Sequence, residues 1–206
     1  MLTKFIFAWV LNWLPLIVSG LIIVIVALNN LWPKRKFLLF LKKLTTFNLV
    51  YGLIGLTVLF NLLLSGLQYL TWHAAPFSRF FLPPFTPLNY FLRYSLLHFW
   101  LASILVFLCA LAFYLIFKLI RRRNREAISG EELHLILLSG LLVGWPNFII
   151  FVPSFFLLAL IFSVLNLLVF KNKKNSLLYP LILSLILTFL VGHFLINWLS
   201  LSAFII

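Results

Sequence analysis

Two adjacent acids and a nearby histidine form the cluster in this sequence whose residue types best suit acid–base chemistry. Glu131, Glu132 and His134 directly follow Ser129 and Gly130, where a polar, basic segment gives way to an apolar run. A carboxylate at a boundary between membrane and water can take part in the activation of water. Glu132, Glu131 and His134 are therefore the candidate catalytic residues, and Glu132 is the main candidate.

The same cluster also suits a helix start that has no catalytic role. Serine is a preferred N-cap residue, and acids in the first turn of a helix are stabilised by the helix dipole. Ser129 followed by Glu131 and Glu132 therefore predicts a helix that begins near Gly130. The sequence alone leaves the structural and the catalytic interpretation open.

Other groups that could carry out chemistry are scattered along the chain. No two histidines have the i, i+4 spacing that would place them on one face of a helix, as a zinc or copper site built on that helix would need. The single cysteine, Cys109, lies inside an apolar run, so there is neither a disulfide framework nor a metal-binding Cys pair. Because there is no Gly-rich phosphate loop either, we expect no cofactor and no metal.

The elements that position these residues must be membrane helices, because the composition does not suit a surface facing water. Hydrophobic residues make up 65% of the 206 positions and charged residues only 9%, whereas a soluble domain has roughly a quarter charged residues. Lipid is therefore the expected solvent of this all-α chain, and the lipid bilayer its first partner.

Apolar runs of membrane-spanning length are separated by short polar or basic segments. The region 133–170 is too long for one span, since a helix of this length would measure about 57 Å against a hydrocarbon core of about 30 Å. A break is predicted at Gly144, Trp145, Pro146 and Asn147, which combine turn residues with an interfacial tryptophan. The sequence then predicts six transmembrane helices in a single domain, at about 5–28, 47–70, 96–120, 133–145, 148–170 and 177–198.

The segment 72–94 is predicted to be a loop at the membrane surface. It holds four prolines and several phenylalanines, but only two charged residues, Arg79 and Arg93. Prolines prevent a regular span, and aromatic rings prefer the depth of the lipid headgroups. We therefore expect this loop to lie on the headgroups.

The basic residues predict the orientation of the chain. The sequence has sixteen Lys and Arg against three acids, and no aspartate. With both termini outside, thirteen of the sixteen basic residues fall in the inward segments 29–46, 118–132 and 171–175, as the positive-inside rule requires. Because these clusters lie between apolar runs, we assign them to the membrane and expect no nucleic-acid partner.

From about residue 110 to residue 198 the chain resembles the C-terminal half of type IV prepilin peptidases, which are aspartyl proteases of the bacterial cytoplasmic membrane. That family has a span, a basic loop, a Gly-x-Gly-Asp-x-Lys-Leu motif, a short helix with a Gly-Trp turn, and further spans. The matching text is the basic loop 121–125, the motif Glu131-Glu132-Leu133-His134-Leu135, the run 136–146 with its Gly144-Trp145 turn, Tyr179-Pro180, and the final stretch 192–198.

The departures from that pattern predict that the chain is not an active peptidase. Glu132 stands where the family has its motif aspartate, and His134 where it has lysine. The second catalytic aspartate has no counterpart, because the sequence contains no aspartate. An aspartyl protease needs two carboxylates that share a proton to activate water. The resemblance therefore implies a catalytically inactive relative, which would act by binding or assembly in a pilus or secretion complex.

Two alternatives stay open from the sequence. One is an active leader peptidase that uses Glu132 together with an acid from another chain. The other is a VanZ-like or transporter-associated protein, since the segment 147–153 resembles the VanZ signature. Buried ionisable residues often mark transport, but the only candidate, Lys118, is close enough to a span end to reach the interface.

Overall fold

The computed structural model describes Gly20 and residues 46–124, 128–170 and 177–199. Within these ranges the chain is helical and has no strand, which confirms the predicted all-α class. Apart from Gly20, the predicted first span at 5–28 lies outside the described residues. So do the basic segments 29–45 and 171–176 and the third acid, Glu126.

Five helices and one short turn make up the described part of the chain. The first helix, α1, is followed by a 3₁₀ turn and then by α2, which contains a π-helical turn. A second π-helical turn, Asn166–Phe170, continues α4. The bounds are α1 Thr46–Ala74, the 3₁₀ turn Ser78–Phe81, α2 Leu88–Arg123 with its π turn at Leu96–Trp100, α3 Gly130–Val143, α4 Phe148–Leu165 and α5 Leu178–Trp198.

Three of these helices, α1, α2 and α4, are long and apolar enough to cross a membrane. No more than 22% of each apolar stretch is buried inside the protein, so most of its surface is left for lipid. The helix α3 has 14 residues and is about 21 Å long, which is shorter than a hydrocarbon core of about 30 Å. The structure thus has three such helices within the described residues and a shorter apolar helix at Leu178–Gly192, and the count of six spans stays a prediction.

The loop between α1 and α2 is shorter than predicted. It was expected at 72–94, but α1 continues to Ala74 and α2 begins at Leu88. Proline disfavours helix in the residues before it and not in those after it, and the last proline of the segment, Pro87, is the N-cap residue of α2. Residues 88–95 contain no helix breaker, and their inward-facing Phe91 and Ser95 have helical i, i+4 spacing.

One compact unit of the chain includes residues 51–101, and a polar cluster joins its two helices. The Ser65 hydroxyl lies 2.6 Å from the Ser95 hydroxyl and also accepts a hydrogen bond from the Trp100 indole N–H at 3.3 Å. Such bonds between apolar helices stabilise their association, because few other polar partners exist in lipid. Near the loop, Trp72 packs against Phe81, Phe91 and Tyr94.

The second unit includes residues 102–124, 128–170 and 177–199 and contains α3, α4 and α5. The start of α3 lies beside the start of α5, since Glu132 accepts a hydrogen bond from the Leu177 N–H. The start of α4 lies beside the end of α5, where Asn147 packs against Gly192, and Phe162 near the end of α4 stacks on Tyr179. The chain therefore reverses direction between α3 and α4, at the break that the sequence predicts.

Glycine is required at the reversal because of the backbone conformation there. Gly144 has φ +73° and ψ 169°, a region that residues with a Cβ atom essentially do not adopt. Residues 145–147 complete the turn, and the Trp145–Pro146 peptide bond is cis.

The core of the second unit depends on a close approach of two helices and on packed rings. A Cβ atom added to Gly140 would lie 2.9 Å from the Ala110 Cβ, so α3 and α2 touch at these two small residues. Next to this contact Phe113 packs edge-to-face against Phe148, and Phe151 is completely buried. Small residues where helices cross and edge-to-face rings are both favourable ways to pack apolar helices.

Candidate functional site

The predicted site lies at the start of α3, where Ser129 is the N-cap residue. The Ser129 side-chain oxygen accepts a hydrogen bond from the Glu132 N–H at 3.2 Å, and the Glu132 carboxylate accepts one from the Ser129 N–H at 2.8 Å. This reciprocal pair is a capping box, which satisfies two backbone donors at the start of a helix. The prediction of a helix that begins near Gly130 with Ser129 as its cap is confirmed.

The second oxygen of the Glu132 carboxylate reaches a residue 45 positions away. Glu132 Oε1 accepts a hydrogen bond of 3.0 Å from the backbone N–H of Leu177, the N-cap residue of α5. One side chain thus accepts hydrogen bonds at the N-termini of two helices. A carboxylate there is stabilised twice, because each helix presents unpaired N–H groups and the positive end of its dipole.

The other two candidate residues, Glu131 and His134, differ in exposure. Glu131 is exposed, although it is the next residue in the chain. His134 is half-buried, two residues beyond Glu132 in α3, and its Nδ1 atom forms a 2.8 Å hydrogen bond with the carbonyl oxygen of Gly130 in its own helix. A catalytic role for Glu131 and His134 stays a prediction.

The surroundings of the cap are basic. A Cβ atom on Gly130 would lie 3.3 Å from the Arg121 guanidinium, so the glycine gives this side chain room beside the first turn of α3. Arg122 and Arg123 follow at the exposed end of α2. These charges lie at a helix C-terminus, where cations are favourable.

A metal site and a general base would each require particular groups at the start of α3. Within residues 46–124, 128–170 and 177–199, no group of three His, Cys, Asp or Glu could hold a metal ion. Each carboxylate oxygen of Glu132 accepts one backbone hydrogen bond, which is the arrangement of a helix cap. The structure shows Glu132 as a helix cap, and its catalytic role stays a prediction.

Two features of this region were not found from the sequence. The contact from Glu132 to Leu177 involves a backbone N–H, and a backbone donor leaves no sequence signal. The other feature is Asn147, whose buried Oδ1 finds no hydrogen-bond donor in the part of the chain that the structure describes. That oxygen packs against Gly192, where a Cβ atom would come within 2.9 Å of it. Asn147 was predicted only as a turn residue.

The fold and the site together define an all-helical protein with several helices apolar enough for a membrane and with a carboxylate that caps two of its helices. Searches against protein-family models, curated proteins and solved structures find no match for this chain.

Proposed function

We propose that this chain is a multi-pass protein of the bacterial cytoplasmic membrane that acts by binding other membrane proteins and has no peptidase activity. The observation that carries the proposal is the position of Glu132. Its two carboxylate oxygens accept the N–H groups of Ser129 and Leu177, so the acid that stands in place of a catalytic aspartate has a structural role. The described helices leave wide apolar surfaces that another membrane protein can contact.

The proposed partners are subunits of a pilus or secretion complex. This part of the proposal rests on the resemblance of residues 110–198 to prepilin peptidases, with Glu132 and His134 in place of the motif aspartate and lysine. A relative of those peptidases that lacks the second carboxylate would still offer a surface to bind their substrates and partners. The proposed topology has six transmembrane helices, with both termini outside.

The orientation is tested by labelling single cysteines. In a Cys109→Ser background, cysteines placed at positions 38, 122 and 173 are expected to react only from the cytoplasmic side, and a cysteine at position 80 only from outside. The reason is that thirteen of the sixteen basic residues then face the cytoplasm. Labelling of position 173 from the side opposite to position 122 would contradict the proposed six-helix topology.

The binding role is tested by copurification. The tagged chain, extracted in mild detergent after cross-linking in cells, is expected to carry one or a few membrane proteins in near-stoichiometric amounts, identified by mass spectrometry. A tagged multi-pass protein of similar size and expression is the control for nonspecific capture. Recovery of the chain alone, at the mass of a monomer in detergent, would contradict a binding function.

A further inference from the structure

The loop between α1 and α2, residues 75–87, exposes aromatic side chains that a loop facing water would cover. Phe77 is 86% exposed, Phe80 55% and Phe85 57%. We call these three residues the phenylalanine tip. Exposed apolar patches of this kind mark contact with a protein or with a membrane.

The tip belongs to an ordered loop. The Leu82 N–H donates to the Arg79 carbonyl at 3.0 Å, and the Phe85 N–H donates to the Leu82 carbonyl at 3.1 Å. The Thr86 hydroxyl also donates to the Phe80 carbonyl at 3.2 Å. Leu82 is completely buried beneath these bonds, so the loop has an apolar anchor of its own.

Other aromatic residues of the region pack against one another around Trp72. Trp72 contacts Phe91 at 5.6 Å and Tyr94 at 4.7 Å between ring centroids. In the tip, by contrast, Phe80 and Phe85 contact each other at 5.0 Å and are both more than half exposed. The structure thus has a packed aromatic cluster around Trp72, with Phe81 and Tyr90 at its exposed edge, and a more exposed phenylalanine tip.

The chemistry of the surrounding chain favours lipid as the occupant of this surface. The helices at both ends of the loop, α1 and α2, are apolar enough to cross a membrane, so a loop between them emerges at the membrane surface. Arg79 and Arg93 are the only charged residues in positions 46–117, and neither is acidic. Phenylalanine beside arginine matches a leaflet that has anionic phosphates above acyl chains.

We propose that Phe77, Phe80 and Phe85 insert below the headgroups of the adjoining leaflet, with Arg79 at the level of the phosphates. This inference rests on the proposed membrane crossing of α1 and α2. It also goes beyond the sequence expectation that the whole segment 72–94 lies at headgroup depth. The tip lies deeper than the headgroups, whereas Trp72 is held by contacts within the protein.

The depth of the tip is measured with spin labels. Single cysteines at positions 77, 80 and 85 of the full-length Cys109→Ser chain are labelled with a nitroxide and reconstituted into vesicles of phosphatidylethanolamine and phosphatidylglycerol. Power saturation then compares collisions with oxygen, which concentrates in the acyl chains, and with a water-soluble nickel chelate. The matched control is a label at position 79, and a label at position 60 in α1 reports the membrane crossing itself.

The tip labels are expected to collide with the nickel chelate at least fivefold less than the label at position 79, and to collide more with oxygen. Nickel accessibility equal to that at position 79 would overturn the insertion. Protection of the tip from both reagents would also overturn it, because a protein contact would then cover the tip. Access of nickel to the label at position 60 would show that α1 does not cross the membrane, and the proposed insertion would fail with it. If position 60 is inaccessible to nickel and the tip is accessible, only the insertion is rejected.

Discussion

Replacing Gly140 with leucine is expected to lower the free energy of unfolding by about 3 kcal/mol, the upper part of the range for inserting a side chain into a packed core. Any Cβ atom at this position would lie 2.9 Å from the Ala110 Cβ and 3.1 Å from Phe148 Cε2. The Ala110 Cα lies at 3.3 Å, so backbone as well as side chain blocks the space. The helices α3 and α2 would therefore have to separate, and thermal unfolding in detergent, followed by circular dichroism, reports the loss.

The same substitution at Gly66 is the matched control. Gly66 lies in α1, and an added Cβ atom would meet nothing within 4 Å. Leucine has a higher helix propensity than glycine by nearly 1 kcal/mol, so Gly66→Leu is expected to leave the melting temperature unchanged or to raise it slightly. If the Gly140→Leu and Gly66→Leu proteins had the same melting temperature, the close contact between α3 and α2 would be wrong.

Glu132→Ala is expected to destabilise the chain by about 2 kcal/mol, a sum of lost capping and lost charge-assisted hydrogen bonds. The substitution leaves the Ser129 and Leu177 N–H groups without the acceptor that both share. Because the two groups belong to the starts of α3 and α5, the loss affects two helices. The fall in melting temperature in detergent measures it, and the thermal transition of the reconstituted protein is a second check.

Glu131→Ala is the control for Glu132→Ala, since it removes the same charge from the neighbouring, exposed position. A charge in the first turn of an exposed helix contributes roughly 0.3–1 kcal/mol, so this control should lose less than half as much stability. Ser129→Ala combined with Glu132→Ala should cost less than the two single changes added together, because both residues form one capping box. Equal losses for the two glutamates would contradict the double-cap role of Glu132.

Local patterns in the sequence were sufficient to predict where α3 begins and where the chain reverses after it. Serine followed by acids marks the start of α3, and Gly144 with Pro146 marks the reversal after it, because capping and turn formation depend on residues close together in the chain. The start of α2 was predicted too late, since the frequent aromatics of residues 88–94 were assigned to the preceding proline-rich loop. Helix formation there depends on the tertiary burial of Phe91 and Ser95.

The sequence was sufficient to identify the main residue of the candidate site but not its contact with a distant part of the chain. The sequence identified Glu132 and offered both a catalytic and a capping interpretation. Only the fold brings the Leu177 backbone to the second carboxylate oxygen, across 45 residues that include α4 and a basic segment. The contact of Asn147 with Gly192 likewise depends on how α5 packs beside the turn. Neither contact has a local signature.

The measurement that tests the central claim most directly is cleavage of a prepilin leader peptide in proteoliposomes that contain the purified chain. The account predicts no cleavage by the wild-type protein above the level of empty liposomes, because an aspartyl protease needs two carboxylates that share a proton and the chain has no aspartate. A known prepilin peptidase reconstituted in the same lipid is the positive control. Leader cleavage by the wild-type chain, lost in a Glu132→Gln variant that remains folded, would contradict the account and make Glu132 a catalytic residue.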